Sequence, residues 1–254
     1  MIANKASKVL TQLNYTSKYS FAQKFLFLFG APGVGKGTYA KFLKKDLKLN
    51  HISTGDEIRK ILKGQAASTF SPALIKEIKQ IVEAGKLVGD DIVVNIIKEK
   101  LKEKESENGV ILDGFPRTKS QLDRYDQEHL PIHLVVNLTL NQSVLLEKLM
   151  GRRVCNGCGT TYNYCSIHRD GYEMEPLLPK KEGICDKCGS KDIVTRADDS
   201  KEVISARMIE YEQKTLPILK LFEERKKVFN FEAKRGVNDY PRLLQEVTPL
   251  LKNI

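Results

Sequence analysis

The residues Gly30–Thr38 read GAPGVGKGT, four glycines and one lysine set between an apolar run, KFLFLFG (24–30), and a segment with helical spacing. In that context Gly-x4-Gly-Lys is a phosphate cradle. The glycines let backbone N–H groups turn inward, and the helix N-terminus adds its partial positive charge. Gly33, Val34, Gly35, Lys36, Gly37 and Thr38 are the expected contacts, with Lys36 reaching the β- and γ-phosphates of a nucleotide. The hydroxyl falls at Thr38, one place later than in the generic loop, because Gly37 follows the lysine. Magnesium accompanying the phosphates is therefore expected to rely on water and on a second acid. Asp113, which ends the apolar run VILD, is the candidate. The alternatives are a strand-end acid that caps the next helix, and a glycine-rich turn with no ligand.

A second group of residues could hold a metal. Cys155/Cys158 and Cys185/Cys188 are two Cys-x-x-Cys pairs with 26 residues between them, in a chain of five cysteines. Four thiolates in two chelating pairs make the tetrahedral zinc set, and four protein ligands leave no position for water, so such a zinc is structural. The loop is longer than usual, but loop-closure cost grows slowly with length. The segment around it has few large apolar side chains, and a metal would supply the stability that its own core lacks. Cys165 and His168 inside the loop are competing ligands; disulfides, or a zinc ribbon that binds nucleic acid, are other readings. Paired Cys-x-x-Cys in an intracellular enzyme reads as metal binding first, which points to a reducing compartment.

These residues need a scaffold. The 254 residues are 41% hydrophobic and 29% charged, an ordinary globular composition. No apolar run approaches the ~18 residues of a membrane span, and FLFLFG is too short for a secretory signal. The net charge of +10 suggests nucleic acid, but the first 45 residues hold eight lysines and no acid, so the rest of the chain is close to balanced. Residues 1–20 read as a separate basic extension, a solvated tail or a targeting segment, though without the arginine usual in transit peptides. The chain is expected in the cytoplasm, or in the mitochondrion if that extension is a signal.

Buried strands are expected at 24–30, 109–114 and 133–140, with a weaker one at 228–233. Helical segments fall at 90–105, 118–126, 141–151, 199–226 and 240–252. Alternating strands and helices give an α/β fold, a parallel sheet flanked by helices. Two stretches break the rhythm, a helical one near 53–86 and a Gly-, Cys- and Tyr-rich one near 152–197.

GAPGVGKGT, ISTGDEIR (52–59), EAGKLV (83–88), ILDGFPRT (111–118), GRRVC (151–155) and TRADD (195–199) together resemble the adenylate kinase family, in its long-lid form with zinc-type cysteines. The resemblance covers about residues 24–252; DGFPRT is its most specific motif. It implies a P-loop core over 21–254 with an AMP-binding insertion at 53–86 and a lid at 152–197. It implies magnesium-dependent phosphoryl transfer from ATP to AMP giving two ADP, by a monomer that binds no nucleic acid. The alternative within the class is a GTP:AMP phosphotransferase. A zinc-ribbon nucleic-acid-binding ATPase is more remote. Phosphoryl transfer needs positioning and compensation of charge more than a nucleophile or base. The catalytic residues implied are Lys36, Arg117, Arg152, Arg196 and Arg207. Arg152 also belongs with the ATP contacts. On the AMP side the resemblance implies Thr54, Arg59, Val82, Lys86, Val88, Gly114, Arg117, Gln121, Arg196 and Arg207. Asp198 and Asp199 either orient these arginines or the closed lid, or cap a helix. The chain departs from the family at Lys148, where an arginine often packs on the donor base; lysine keeps the charge and loses the stacking plane.

Overall fold

Side chains of the strand Lys24–Phe29 (β1) alternate between two apolar layers. Phe25, Phe27 and Phe29 enter one core, and Leu26 and Leu28 enter the other. Burial on both faces is why its sequence is continuously apolar rather than alternating with polar residues. The computed structural model of the chain describes residues 23–65 and 70–252. The basic extension expected at 1–20, and residues 66–69 of the insertion expected at 53–86, lie outside the described residues.

β1 is the middle of a five-stranded, wholly parallel sheet with Asn50–Ser53 (β2), Gly109–Asp113 (β3), Leu134–Thr139 (β4) and Val228–Glu232. The spatial order is Val228–Glu232, β4, β1, β3, β2. The first core lies under helices that include Asp90–Leu101, Lys119–Gln127 and Leu216–Glu224. The second lies under Lys36–Leu47 and Tyr240–Lys252. The α/β architecture, the four anticipated strands and the flanking helices agree with the sequence reading.

Three local differences matter for the site. β2 has no counterpart in that reading, because NHIS is polar and forms an edge strand on which Asn50 and Ile52 are the buried pair. The single helix expected over 199–226 is divided: Lys201–Glu210 and Leu216–Glu224 are joined by a π-helical turn, Tyr211–Thr215. The cysteine-rich stretch folds as small antiparallel sheets, one of them built from Arg152–Cys155, Thr161–Asn163 and Ile193–Val194. The described residues within 53–86 hold two helices, Thr54–Leu62 and Pro72–Glu83. The loops that leave β1, β2 and β3 gather at the C-terminal edge of the sheet, where open α/β sheets bind ligands.

Candidate active site

Helix Lys36–Leu47 begins with Gly35 at its N-cap (φ +106°), no capping side chain and no acid in its first turn. Its leading N–H groups and partial positive charge are thus left for an anion. Lys36 Nζ folds back to donate to Gly30 O at 2.7 Å and Ala31 O at 3.0 Å. Burial pulls its ammonium down to about 7; Asp113 opposes this, while Arg117, Arg207 and Arg152 add to it.

Asp113 ends β3 with its carboxylate almost buried, and Oδ2 lies 3.3 Å from His51 Nε2 on β2. Burial alone would raise its pKa; the hydrogen bond and charge of His51, then Lys36, hold it below the usual carboxylate range. A Cβ at residue 37 would stand 3.6 Å from Asp113 Oδ2, in ordinary contact. Glycine leaves that space open between the loop and the carboxylate. An ionised, oxygen-only donor beside an open space suits a hydrated magnesium ion.

Two clefts meet at this loop. One is lined by Thr54, Arg59, Val82, Lys86, Val88, Gly114, Arg117, Gln121 and Arg207. In it, Thr54 Oγ1 donates to Gly114 O (2.9 Å), which also accepts from Arg117 Nε (2.9 Å). Gly114 sits at φ +77°, and a Cβ there would fall 2.6 Å from Arg117 Nη2, so only glycine lets the guanidinium lie on this turn. The Gln121 amide is oriented from both ends. Its Oε1 accepts from Arg117 N (2.8 Å), and its Nε2 donates to Asp90 Oδ1 (2.8 Å). Thr215, at the end of the π-turn, donates from Oγ1 to Arg117 O at 3.0 Å. Arg59 is paired with Asp56 at 2.5 Å.

The second cleft is lined by Gly33, Val34, Gly35, Lys36, Gly37, Thr38, Asp113, Lys148, Arg152 and Arg196. Lys36, Arg59, Arg117 and Arg207 line both clefts. Arg196 lines the second cleft alone, although the sequence reading groups it with the AMP contacts; its fork is drawn aside by Asp198 (2.6 and 2.8 Å). Arg152 is bidentate on Asp199, one bond being 2.7 Å, and Arg207 reaches Asp199 Oδ1 at 3.1 Å. Burial would raise the Asp198 carboxyl, but Arg196 and then Arg207 hold it far below the usual range. Burial pulls Arg207 down to about 10 against the pull of Asp198. Asp198 and Asp199 thus orient arginines, and the next helix is capped by Ser200, whose Oγ accepts from Val203 N. His51, Asp90, Asp56 and Thr215 escaped the sequence reading. Their partners are fixed by the sheet and the turns rather than by spacing along the chain.

The four paired cysteines converge, with all Sγ atoms within 4.8 Å of one another. The two pairs are built alike. Cys155 N donates to Thr160 O and Cys155 O accepts from Gly159 N; Cys185 N donates to Ser190 O and Cys185 O accepts from Gly189 N. Gly159 and Gly189 both have φ +71°. Cross-pair Sγ separations of 3.5 Å (Cys155–Cys188 and Cys158–Cys185) are too long for disulfides. They are close to the ~3.8 Å sulfur spacing of a tetrahedron with ~2.3 Å Zn–S bonds. Cys165 and His168 stand outside the group, His168 being held by Glu173 and Ser166.

A parallel sheet with a phosphate loop at its edge, and two clefts that share one set of cations, defines a P-loop phosphotransferase. A family model described as adenylate kinase matches residues 28–227. The chain is 36% identical to a GTP:AMP phosphotransferase of Plasmodium falciparum, over 85% of this chain and 92% of the relative. It is 36% identical to an adenylate kinase of Zymomonas mobilis (87% and 94% covered) and 40% identical to adenylate kinase 1, chloroplastic, of Arabidopsis thaliana (87% and 76%). The chain belongs to the adenylate kinase family. It is a nucleoside monophosphate kinase, and no helix among the described residues is long and apolar enough to cross a membrane.

Proposed function

We propose that the protein transfers a phosphoryl group reversibly between ATP and AMP, giving two ADP. One observation carries this reading: Lys36, Arg59, Arg117 and Arg207 face both clefts, so two phosphate tails entering from opposite sides would meet among them. Such a site needs no protein nucleophile. It holds the two oxygens in line and offsets the charge spread over the transferring group. The second cleft takes the donor on Gly33–Thr38, with Lys36 and Arg152 at its phosphates. The first takes AMP: Arg59 and Arg117 grip its phosphate, Thr54 and Gly114 shape the turn, and Gln121 reads the adenine edge between Val82, Lys86 and Val88. Arg196 and Arg207 act at the junction. Arginine suits these positions because its planar fork binds phosphate through two parallel hydrogen bonds.

Asp113, through water, and Thr38 would hold the magnesium ion that offsets donor phosphate charge. Cys155, Cys158, Cys185 and Cys188 would hold a structural zinc that fixes residues 152–197 as a lid. Closure of this lid and of the 53–86 insertion would exclude water and bring Arg152 and Arg196 inward. The protein is read as a monomer with nucleotide ligands and no nucleic-acid partner. It is placed in the cytoplasm, or in an organelle if residues 1–20 are a signal; the chloroplastic name of one relative is compatible with the latter.

The test is a coupled assay with ATP and each of AMP, GMP, CMP and UMP. AMP should be preferred at least ~100-fold, the scale set by a site built to hydrogen-bond one base. No ADP formation from AMP, or a different preferred monophosphate, would overturn the assignment.

A further inference from the structure

The 26 residues between Cys158 and Cys185 exceed the ~15–20 usual between the cysteine pairs of a zinc site. Within them lies a hairpin. Ile167–Arg169 pairs antiparallel with Tyr172–Met174 across Asp170 and Gly171, both at positive φ. That is the conformation of a two-residue hairpin turn. One face of the hairpin carries His168 and Glu173, exposed and paired at 2.6 Å. The other buries Ile167, Tyr172 and Met174.

Those three side chains do not pack on the cysteine cluster. They share a small apolar cluster with Val144, on the core helix Gln142–Met150, and with Leu140 just before it. Hydrogen bonds repeat the attachment. Tyr172 Oη donates to Glu232 Oε1 at 2.7 Å, at the end of the edge strand Val228–Glu232, and accepts from Asn141 N at 3.0 Å. Glu173 N donates to Lys234 O at 3.0 Å. The cysteine end is packed differently. Its apolar cluster, Cys155, Tyr162 and Cys185 with Cys158 and Ile193, takes no member from the sheet or its helices. It faces the other side of the site, where Lys63 Nζ, just after helix Thr54–Leu62, reaches Asn156 Oδ1 at 3.4 Å. The two parts meet at a stem, Asn163 and Leu177, which exchange backbone hydrogen bonds of 2.9 and 2.7 Å.

We infer that the hairpin Ile167–Met174 is a strap, anchored on the core by Tyr172, that stays in place when the site closes, and that closure is confined to the cysteine-bearing part beyond the Asn163–Leu177 stem. The inference rests on the reading of residues 152–197 as a lid and divides that lid in two. A segment that shares a buried cluster opens with it as one cooperative unit. The hairpin therefore leaves the core only by exposing Ile167, Tyr172 and Met174 together. Cys165, Met174 and Glu175 line the donor cleft, so a fixed strap keeps one wall of that cleft standing in the open state. Less ordering is then left for the donor to bring about on binding. Tyr172 is not in the cleft lining; it is a positioning residue that acts through Met174.

The experiment uses the full chain carrying two fluorescent non-canonical residues. One replaces exposed Lys45 on helix Lys36–Leu47; the other replaces either His168 on the strap or Lys191 in the cysteine-bearing part, both exposed. Magnesium and ADP, which would fill both clefts, are the probe. The distance from 45 to 191 should shorten with ADP, and the distance from 45 to 168 should stay the same. Tyr172→Ala should make the second distance spread in the free protein and respond to ADP. It should raise the KM for ATP ~10-fold, the worth of roughly two hydrogen bonds, and leave the KM for AMP within about twofold. Tyr172→Phe, which keeps the ring and loses both hydroxyl contacts, should act in the same direction by less. The inference is overturned if both distances shorten together in the chain with Tyr172 intact, a result that needs no Tyr172 variant to fold. It is also overturned if Tyr172→Ala raises both KM values equally, which marks a general loss of structure. If neither distance responds to ADP, the lid reading itself fails and the strap falls with it.

Discussion

Arg152 and Asp199 form a bidentate pair that joins the first strand of the cysteine-rich segment to the residue just before helix Lys201–Glu210 is capped. The pair closes the base of residues 152–197 like a clasp. Asp199 has no solvent exposure at its side chain and also holds Arg207, so one carboxylate fixes two of the cations at the phosphate junction.

Removing that carboxylate leaves two buried guanidiniums without it. Breaking a buried pair costs about 3–5 kcal/mol, and each kcal/mol is worth roughly 2–4 °C in Tm for a chain of this size. Asp199→Asn should lower Tm by about 10 °C and kcat by at least ~10-fold, because the arginines lose their aim. A Tm within 2 °C of wild type would show that solvent or Asp198 replaces the clasp.

Lys36 predicts a proton balance. Its ammonium is held near 7 in the free protein, chiefly by burial. Phosphates placed opposite it favour the charged form and raise that value. At pH 8 the free side chain is mostly neutral, so donor binding should take up a proton; at pH 6 it is already charged, and the uptake should vanish. Calorimetry in buffers of different ionisation enthalpy reads this directly. Lys36→Met should abolish the uptake and cut kcat by 10²-fold or more. Equal proton uptake in wild type and variant would place the titration elsewhere.

The Asp90–Gln121 contact at 2.8 Å holds the Nε2 end of the Gln121 amide, as Arg117 N holds its Oε1 end. Asp90→Ala should release Nε2 and leave the amide held only at Oε1, by Arg117 N. The KM for AMP should rise about fivefold, the worth of roughly one hydrogen bond, with little change in the KM for ATP. A rise confined to ATP would mean the two clefts have been exchanged.

What the sequence disclosed, and what it concealed, divides along physical lines. β1 and β3 are buried on both faces, so KFLFLF and GVILD announce themselves by composition. The loop and cysteines are legible because their chemistry demands fixed spacing. β2 is not, because an edge strand of four residues can be mostly polar, and with it went His51, the partner of Asp113. The π-turn at Tyr211–Thr215 leaves no mark either: one extra residue in a turn changes no residue type, yet it presents Thr215 to Arg117. Asp90 and Gln121 are 31 residues apart, and only packing of their two helices brings them together.

The zinc assignment gives the last prediction. The four thiolates lie on two matching turns, and the apolar cluster there consists of Cys155, Tyr162 and Cys185 with Cys158 and Ile193. Three of those five members are the proposed ligands, so the segment has little core apart from the metal. Wild type purified under reducing conditions should contain about one zinc per chain, and Cys185→Ser much less. The variant should keep the parallel sheet, which has its own two cores, while residues 152–197 become protease-sensitive. AMP binding should persist, since the proposed AMP contacts lie mostly outside this segment. Phosphoryl transfer should fall, because Arg152 and Arg196 flank it, and water reaching the donor should raise ATP hydrolysis relative to transfer. A chelator should lower the unfolding temperature of wild type and leave that of Cys185→Ser unchanged. Fully active, metal-free wild type would remove the structural role of zinc and leave the four converging thiols unexplained.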